Sequence, residues 1–201
     1  MAEQAVRPSS VEPSGPVRWR TVDIVVTAVL GVAFGVVFWA WGLLWNGPAD
    51  AIPLPGRAFM YGVWLLPAVV APLIVRKAGA GLFAEFIAAL VSALLGSSWG
   101  AQVLLYGLLQ GLAGEAGYAV FRYRRFGWLQ ALLSAAFAGA MAAGLDLFYW
   151  YPTWSANWKL TYVALIVAST AVVAGLGGPA LVRALARTGA LSSFASGRSR
   201  G

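Results

Sequence analysis

Any acid–base or ion-pair chemistry in this chain falls to seven acidic side chains, because the sequence contains no histidine and no cysteine. That excludes Ser-His-Asp triads, thiolate catalysis, disulfides and most zinc sites. Glu3, Glu12 and Asp50 lie in polar stretches, and Asp23 opens an apolar run, where a carboxylate complements a helix dipole. Glu85, Glu115 and Asp146 stand inside or at the end of apolar runs. A charged group there costs at least about 2.5 kcal/mol if it faces lipid, so each must face the protein interior, a partner or a ligand. Pinning two helices together is the competing role for each of the three.

Aromatic and amide side chains supply the remaining binding chemistry. Trp39, Trp41, Trp45, Trp99, Tyr149, Trp150, Tyr151, Trp154 and Trp158 all fall toward one end of the apolar runs. An interfacial belt accounts for much of that grouping. Beside Asp146 and Asn157, the same rings suit a flat, cationic, nitrogen-containing ligand through stacking and cation–π contact. Candidate substrate-binding residues are therefore Glu85 and Asp146 for the positive or amino-bearing part, Gln110 and Asn157 for ring-edge hydrogen bonds, and Trp41, Trp99 and Tyr149 for stacking, with Glu115 as a further carboxylate. At about 100° per residue, Gln110 and Glu115 point about 140° apart on one helix, so they line different patches. Gln110 shares its face with Tyr106 and Gly114.

These residues need a scaffold, and composition indicates which. Of 201 residues 60% are hydrophobic and only 10% charged, with a mean hydropathy of +0.76, whereas soluble domains carry about 25% charge. Apolar blocks of roughly 18 residues or more are membrane spans. Six are expected: Thr21 to Leu44, Gly56 to Val75 (interrupted by Pro67 and Pro72), Ala80 to Leu95, Trp99 to Phe121, Trp128 to Phe148, and Lys159 to Leu185. The fold class is thus an all-α membrane protein, a six-transmembrane-helix bundle in the plasma membrane. Residues 1–17, rich in Pro and Ser, read as a disordered tail; 18–190 form the bundle; 191–201, rich in Gly, Ser and Arg, read as a flexible tail.

The net charge of +7 is not a nucleic-acid footprint, because the cations sit in small clusters between spans. With six spans, all 14 Lys and Arg residues except Arg57 and Lys159 fall on one side. The positive-inside rule makes that side, with both termini, cytoplasmic. On the first span, Thr27, Gly31 and Gly35 form a stripe of small residues that lets another helix approach closely. Gly31 and Gly35 are candidate docking residues for a second membrane subunit, with packing inside the bundle as the alternative.

Three further patterns are more specific: Lys77, Gly79, Ala80 and Leu82 to Glu85 (K-x-G-A-x-L-F-A-E); Leu94 to Gly100 (L-L-G-x-x-W-G); and Gln110, Gly111 and Glu115 followed by FRYRRF. Together they resemble the YkoE-type S components of energy-coupling factor (ECF) vitamin transporters, from about residue 18 to 190. The resemblance implies a six-helix subunit that captures a vitamin from outside, thiamine or its hydroxymethylpyrimidine precursor. It also implies a transmembrane coupling subunit and two ABC-type ATPases as partners, and no cofactor or metal. Other S components dock through Ala-x-x-x-Ala on the first helix, where this chain has Gly31-x-x-x-Gly35. The sequence contains no GxxxxGK[ST] phosphate loop, so ATP hydrolysis belongs to a partner. The competing readings are an intramembrane enzyme working through its buried carboxylates, which lacks any paired-carboxylate spacing such as DxxD, and a structural or assembly protein.

Overall fold

A computed structural model of the chain describes residues 18–189 together with Leu191, Ser192, Phe194 and Ser196. The tail expected at 1–17 lies outside the described residues, as does most of 191–201. Among the described residues the chain is entirely helical and makes six passes. The first is α1 (Thr21–Trp45), and the second is a 3₁₀ stretch (Gly56–Leu65) that runs into α2 (Leu66–Val75). Then come α3 (Ala80–Leu94), α4 (Gln102–Ala119) and α5 (Trp128–Tyr149). The sixth pass joins α6 (Ala156–Thr170), a π turn (Ala171–Leu176) and α7 (Gly177–Arg187).

Four of these runs are long and apolar enough to cross a membrane: Thr21–Trp45, Gly56–Val75, Trp128–Tyr149 and Ala156–Arg187. The other two are special for visible reasons. The third, α3, has only 15 residues, about 22 Å of helix, and α4 is diluted by Gln102, Gln110, Glu115 and four glycines.

Local chemistry sets the ends. Asp23, in the first turn of α1, accepts from the Arg20 backbone N–H (2.9 Å) and the Arg20 guanidinium (2.9 Å). The buried Lys77 ammonium lies 3.8 Å away, so Asp23 ties the start of α1 to the α2–α3 turn. Proline shapes the second pass: Pro67 has no N–H and suits the first turn of α2, which is where the 3₁₀ stretch changes to α.

Small residues let the helices touch. On α1, a Cβ on Gly31 would sit 2.7 Å from Ile87, and one on Gly35 would sit 2.5 Å from Val91. The stripe read as a docking motif therefore faces α3 inside the bundle. On α4, Gly107 and Gly111 meet α3, Gly114 meets α2 and α5, and Gly117 meets α5. Alanines 131, 135, 138 and 142 of α5 are fully buried against these neighbours. Close backbone approach of this kind substitutes for the hydrophobic drive that lipid removes. Leu191 and Phe194, in the segment read as a tail, are buried in the core cluster, and the Ser196 hydroxyl donates to the Ile74 carbonyl at 3.2 Å.

Candidate functional site

Between α1, the 3₁₀ stretch, α3, α4 and the end of α5 lies a cavity of about 320 Å³, at the lower end of the range of small-molecule sites. Its mouth lies among the loops that follow α1, α3 and α5, where Asn46, Arg57, Ser97, Trp150 and Tyr151 gather. Its floor is Glu85. The α3 lining descends from Ser92 through Ala89 to Glu85, about 10 Å of helix.

Glu85 is fully buried. One oxygen, Oε2, accepts the Ala68 backbone N–H at 3.0 Å. Ala68 is the third residue of α2, among the N–H groups that a helix start leaves without internal partners. Glu85 thus caps a neighbouring helix with one oxygen, while Oε1 has no hydrogen-bond partner among the described residues. An unmet buried acceptor is costly unless something fills it, and Glu85 is one of the residues that line the cavity.

Asp146 lies higher in the wall and is saturated differently. The Tyr106 hydroxyl donates to Oδ1 at 2.8 Å, and the Tyr162 hydroxyl donates to Oδ2 at 2.6 Å. Tyr61 donates to the same Oδ2. The Trp150 indole N–H in turn donates to the Tyr106 oxygen at 3.2 Å. Three hydroxyls from three different passes converge on one carboxylate at the end of a fourth.

The adjoining wall is aromatic. Trp64 packs edge-on against Trp45, Tyr61 and Trp99, with centroids 5.2, 5.4 and 5.7 Å away. Such T-shaped contacts fix ring planes and leave faces for a flat guest. At the rim, the Arg57 guanidinium lies 5.2 Å over the Trp45 ring, donates to the Trp45 carbonyl at 3.1 Å and pairs with Asp50 at 2.9 Å. In the adjoining loop, burial and then the Asp146 carboxylate push the Tyr151 phenol above its ordinary pKa, so that ring stays neutral.

The cavity brings together four of the candidates: Glu85, Asp146, Gln110 and Trp99. The others are elsewhere. Glu115 is buried outside the cavity, accepting from the backbone N–H groups of Gly79 (3.1 Å) and Gly81 (2.5 Å) and from the Tyr123 hydroxyl (2.7 Å). It clamps the α2–α3 turn, as the opposed faces of Glu115 and Gln110 on α4 imply. Trp41 donates its indole N–H to the Met60 carbonyl at 2.9 Å and holds α1 to the 3₁₀ stretch. Tyr149 is 45% exposed and packs edge-on against Phe148. Asn157 is exposed on the first turn of α6, where its carbonyl accepts the Thr161 hydroxyl. Depth and residue type place these three near the site; helix phase turns them away from it.

Sequence reasoning missed Tyr61, Trp64 and Arg57 as lining residues. All three sit on the 3₁₀ stretch, where residues three apart eclipse, so Tyr61 and Trp64 share one face. The spacing is visible in the sequence, but the change of helix type that gives it meaning is not.

Comparison with known proteins places this architecture. Residues 22–141 match a family described as the permease component of an ABC-type cobalt transport system. A Bacillus subtilis (strain 168) protein, provisionally named HMP/thiamine permease protein YkoE, is 34% identical over 182 residues, spanning 90% of this chain and 91% of that one. A crystal structure of an S-component of an ECF transporter superposes with a TM-score of 0.86 at 32% identity, covering 90% of this chain and 92% of the other. These relatives are transport components rather than enzymes, and they agree with a multi-pass protein of the plasma membrane. Sequence, fold and cavity coincide on one assignment: the chain belongs to the YkoE-type S components of ECF transporters.

Proposed function

We propose that this chain is the capture subunit of an ATP-driven importer and that its cavity takes thiamine or hydroxymethylpyrimidine from the external side. The observation that carries the reading is the unpartnered Oε1 of Glu85 at the floor of an aromatic-walled cavity. An amine or a protonated ring nitrogen supplies the missing donor, and a charge-assisted hydrogen bond is about twice as strong as a neutral one. Gln110 offers an amide to a ring edge, and Trp45, Trp64 and Trp99 surround a flat ring. The name of the Bacillus subtilis relative points to the same ligand class.

Cobalt, the ion named in the family description, finds poorer chemistry in this chain. Without His or Cys the sequence offers no imidazole or thiolate, and among the described residues no three acidic side chains gather into a candidate metal site.

The mouth lies at the end of the bundle opposite Arg18, Lys77 and Arg124, so the positive-inside rule turns it outward and leaves both termini in the cytoplasm. Energy then comes from a coupling subunit and two ATPases. Because Gly31 and Gly35 are occupied by α3, a coupling subunit must dock elsewhere than on this stripe. Mass spectrometry of small molecules released from the protein purified in detergent tests the proposal. A near-stoichiometric pyrimidine compound of the mass of thiamine or hydroxymethylpyrimidine is expected; stoichiometric recovery of a chemically unrelated compound refutes it.

A further inference from the structure

Asp146 and Glu85 border one cavity, yet their bonding differs in kind. Glu85 has a free oxygen, whereas Asp146 receives three tyrosine hydroxyls. A phenol has one O–H donor and two acceptor lone pairs. Since the protons of Tyr61 and Tyr106 are both committed to Asp146, the two hydroxyls that line the cavity have only lone pairs to offer a guest. Tyr162, fully buried and outside the lining, completes the set from behind.

We infer that Asp146 is a positioning residue: it fixes the polarity of Tyr61 and Tyr106, so that this wall accepts hydrogen bonds and selects a ligand edge bearing N–H donors. The inference rests on the capture reading and deepens it. A guest presenting a carbonyl here sets its own lone pairs against those of the phenols, while one presenting an amine donates its N–H groups to them. Replacing Asp146 by asparagine keeps the shape but substitutes an N–H₂ group for one oxygen. That group needs an acceptor, so at least one tyrosine must turn its proton away from residue 146, and the wall becomes a mixture of donor and acceptor.

The test is a double-mutant cycle on thiamine affinity, measured by titration calorimetry on folded protein in detergent. D146N is expected to weaken binding at least tenfold and Y106F at least fivefold. The double variant is expected to be no more than twofold weaker than the worse single one, because Asp146 acts through the two phenols, one of whose hydroxyls Y106F removes. Single effects that multiply in the double variant would show Asp146 touching the ligand itself, and wild-type affinity in either single variant would show that the array reads nothing; each overturns the inference. Where D146N fails to fold, Y106F decides alone through the 4-oxo analogue of thiamine. Its affinity relative to thiamine should improve at least threefold over wild type, and an unchanged ratio overturns the inference. Failure of the capture reading looks different, since the wild type then binds neither thiamine nor hydroxymethylpyrimidine and both proposals fall together.

Discussion

A carboxylate withdrawn from water is tolerated to the extent that it recovers partners, and three of the four acids buried in the described passes, Glu85, Glu115 and Asp146, do so to different degrees. Glu115 uses backbone N–H groups, Asp146 uses phenols, and Glu85 uses a single N–H and leaves one oxygen open. The sequence showed that all three must face inward; it could not say which would be filled by protein, because that depends on backbone groups from other passes. Different outcomes follow on substitution. Glu115→Ala strands the N–H groups of Gly79 and Gly81, each costing about 1–3 kcal/mol, so thermal unfolding in detergent should show a midpoint lowered by several degrees. Thiamine affinity of the remaining folded protein should stay within threefold of wild type. Glu85→Gln, by contrast, should weaken thiamine at least tenfold, equivalent to about 1.4 kcal/mol, with a much smaller change in the midpoint.

At the scale of elements, helix contacts depend on where a side chain is missing. Gly117 of α4 lies so close to α5 that a Cβ would fall 2.2 Å from the Ser134 backbone nitrogen, whereas around Gly144 of α5 nothing lies within 4 Å. Overpacking against backbone that cannot move costs about 1–3 kcal/mol or more, so Gly117→Ala should lower the unfolding midpoint markedly. Gly144→Ala should leave it unchanged or raise it slightly, because alanine favours helix over glycine. A midpoint unaffected by Gly117→Ala would show that α4 and α5 do not approach this closely. Periodicity and apolar length revealed six passes and most of their limits. They did not reveal the 3₁₀ stretch at Gly56–Leu65 or the π turn at Ala171–Leu176, since both keep an apolar composition and differ only in how the backbone bonds. The 3₁₀ stretch mattered most, because it aims Tyr61 and Trp64 at the cavity. Trp41 and Tyr149 show the reverse limit: residue type and depth can be read from one sequence, but rotation about the helix axis depends on neighbours.

For the whole molecule, the uneven distribution of cations gives a direction to the bundle. Orientation is directly measurable, because the natural sequence has no cysteine and any cysteine introduced is unique. A cysteine at Ser98, near the mouth, should react with a membrane-impermeant maleimide on intact cells, and one at Arg124 only after permeabilisation. The reverse pattern would place the mouth in the cytoplasm and exclude capture from outside. The central claim is that the unpartnered Glu85 oxygen at the bottom of the aromatic cavity holds a flat, amino-bearing ring. Titration calorimetry of thiamine into the purified protein, run in parallel with Glu85→Gln, tests it most directly. A single saturable site that weakens at least tenfold in the variant is the result predicted. Saturable binding of equal strength in both proteins, or no heat of binding in the wild type with either thiamine or hydroxymethylpyrimidine, would contradict it.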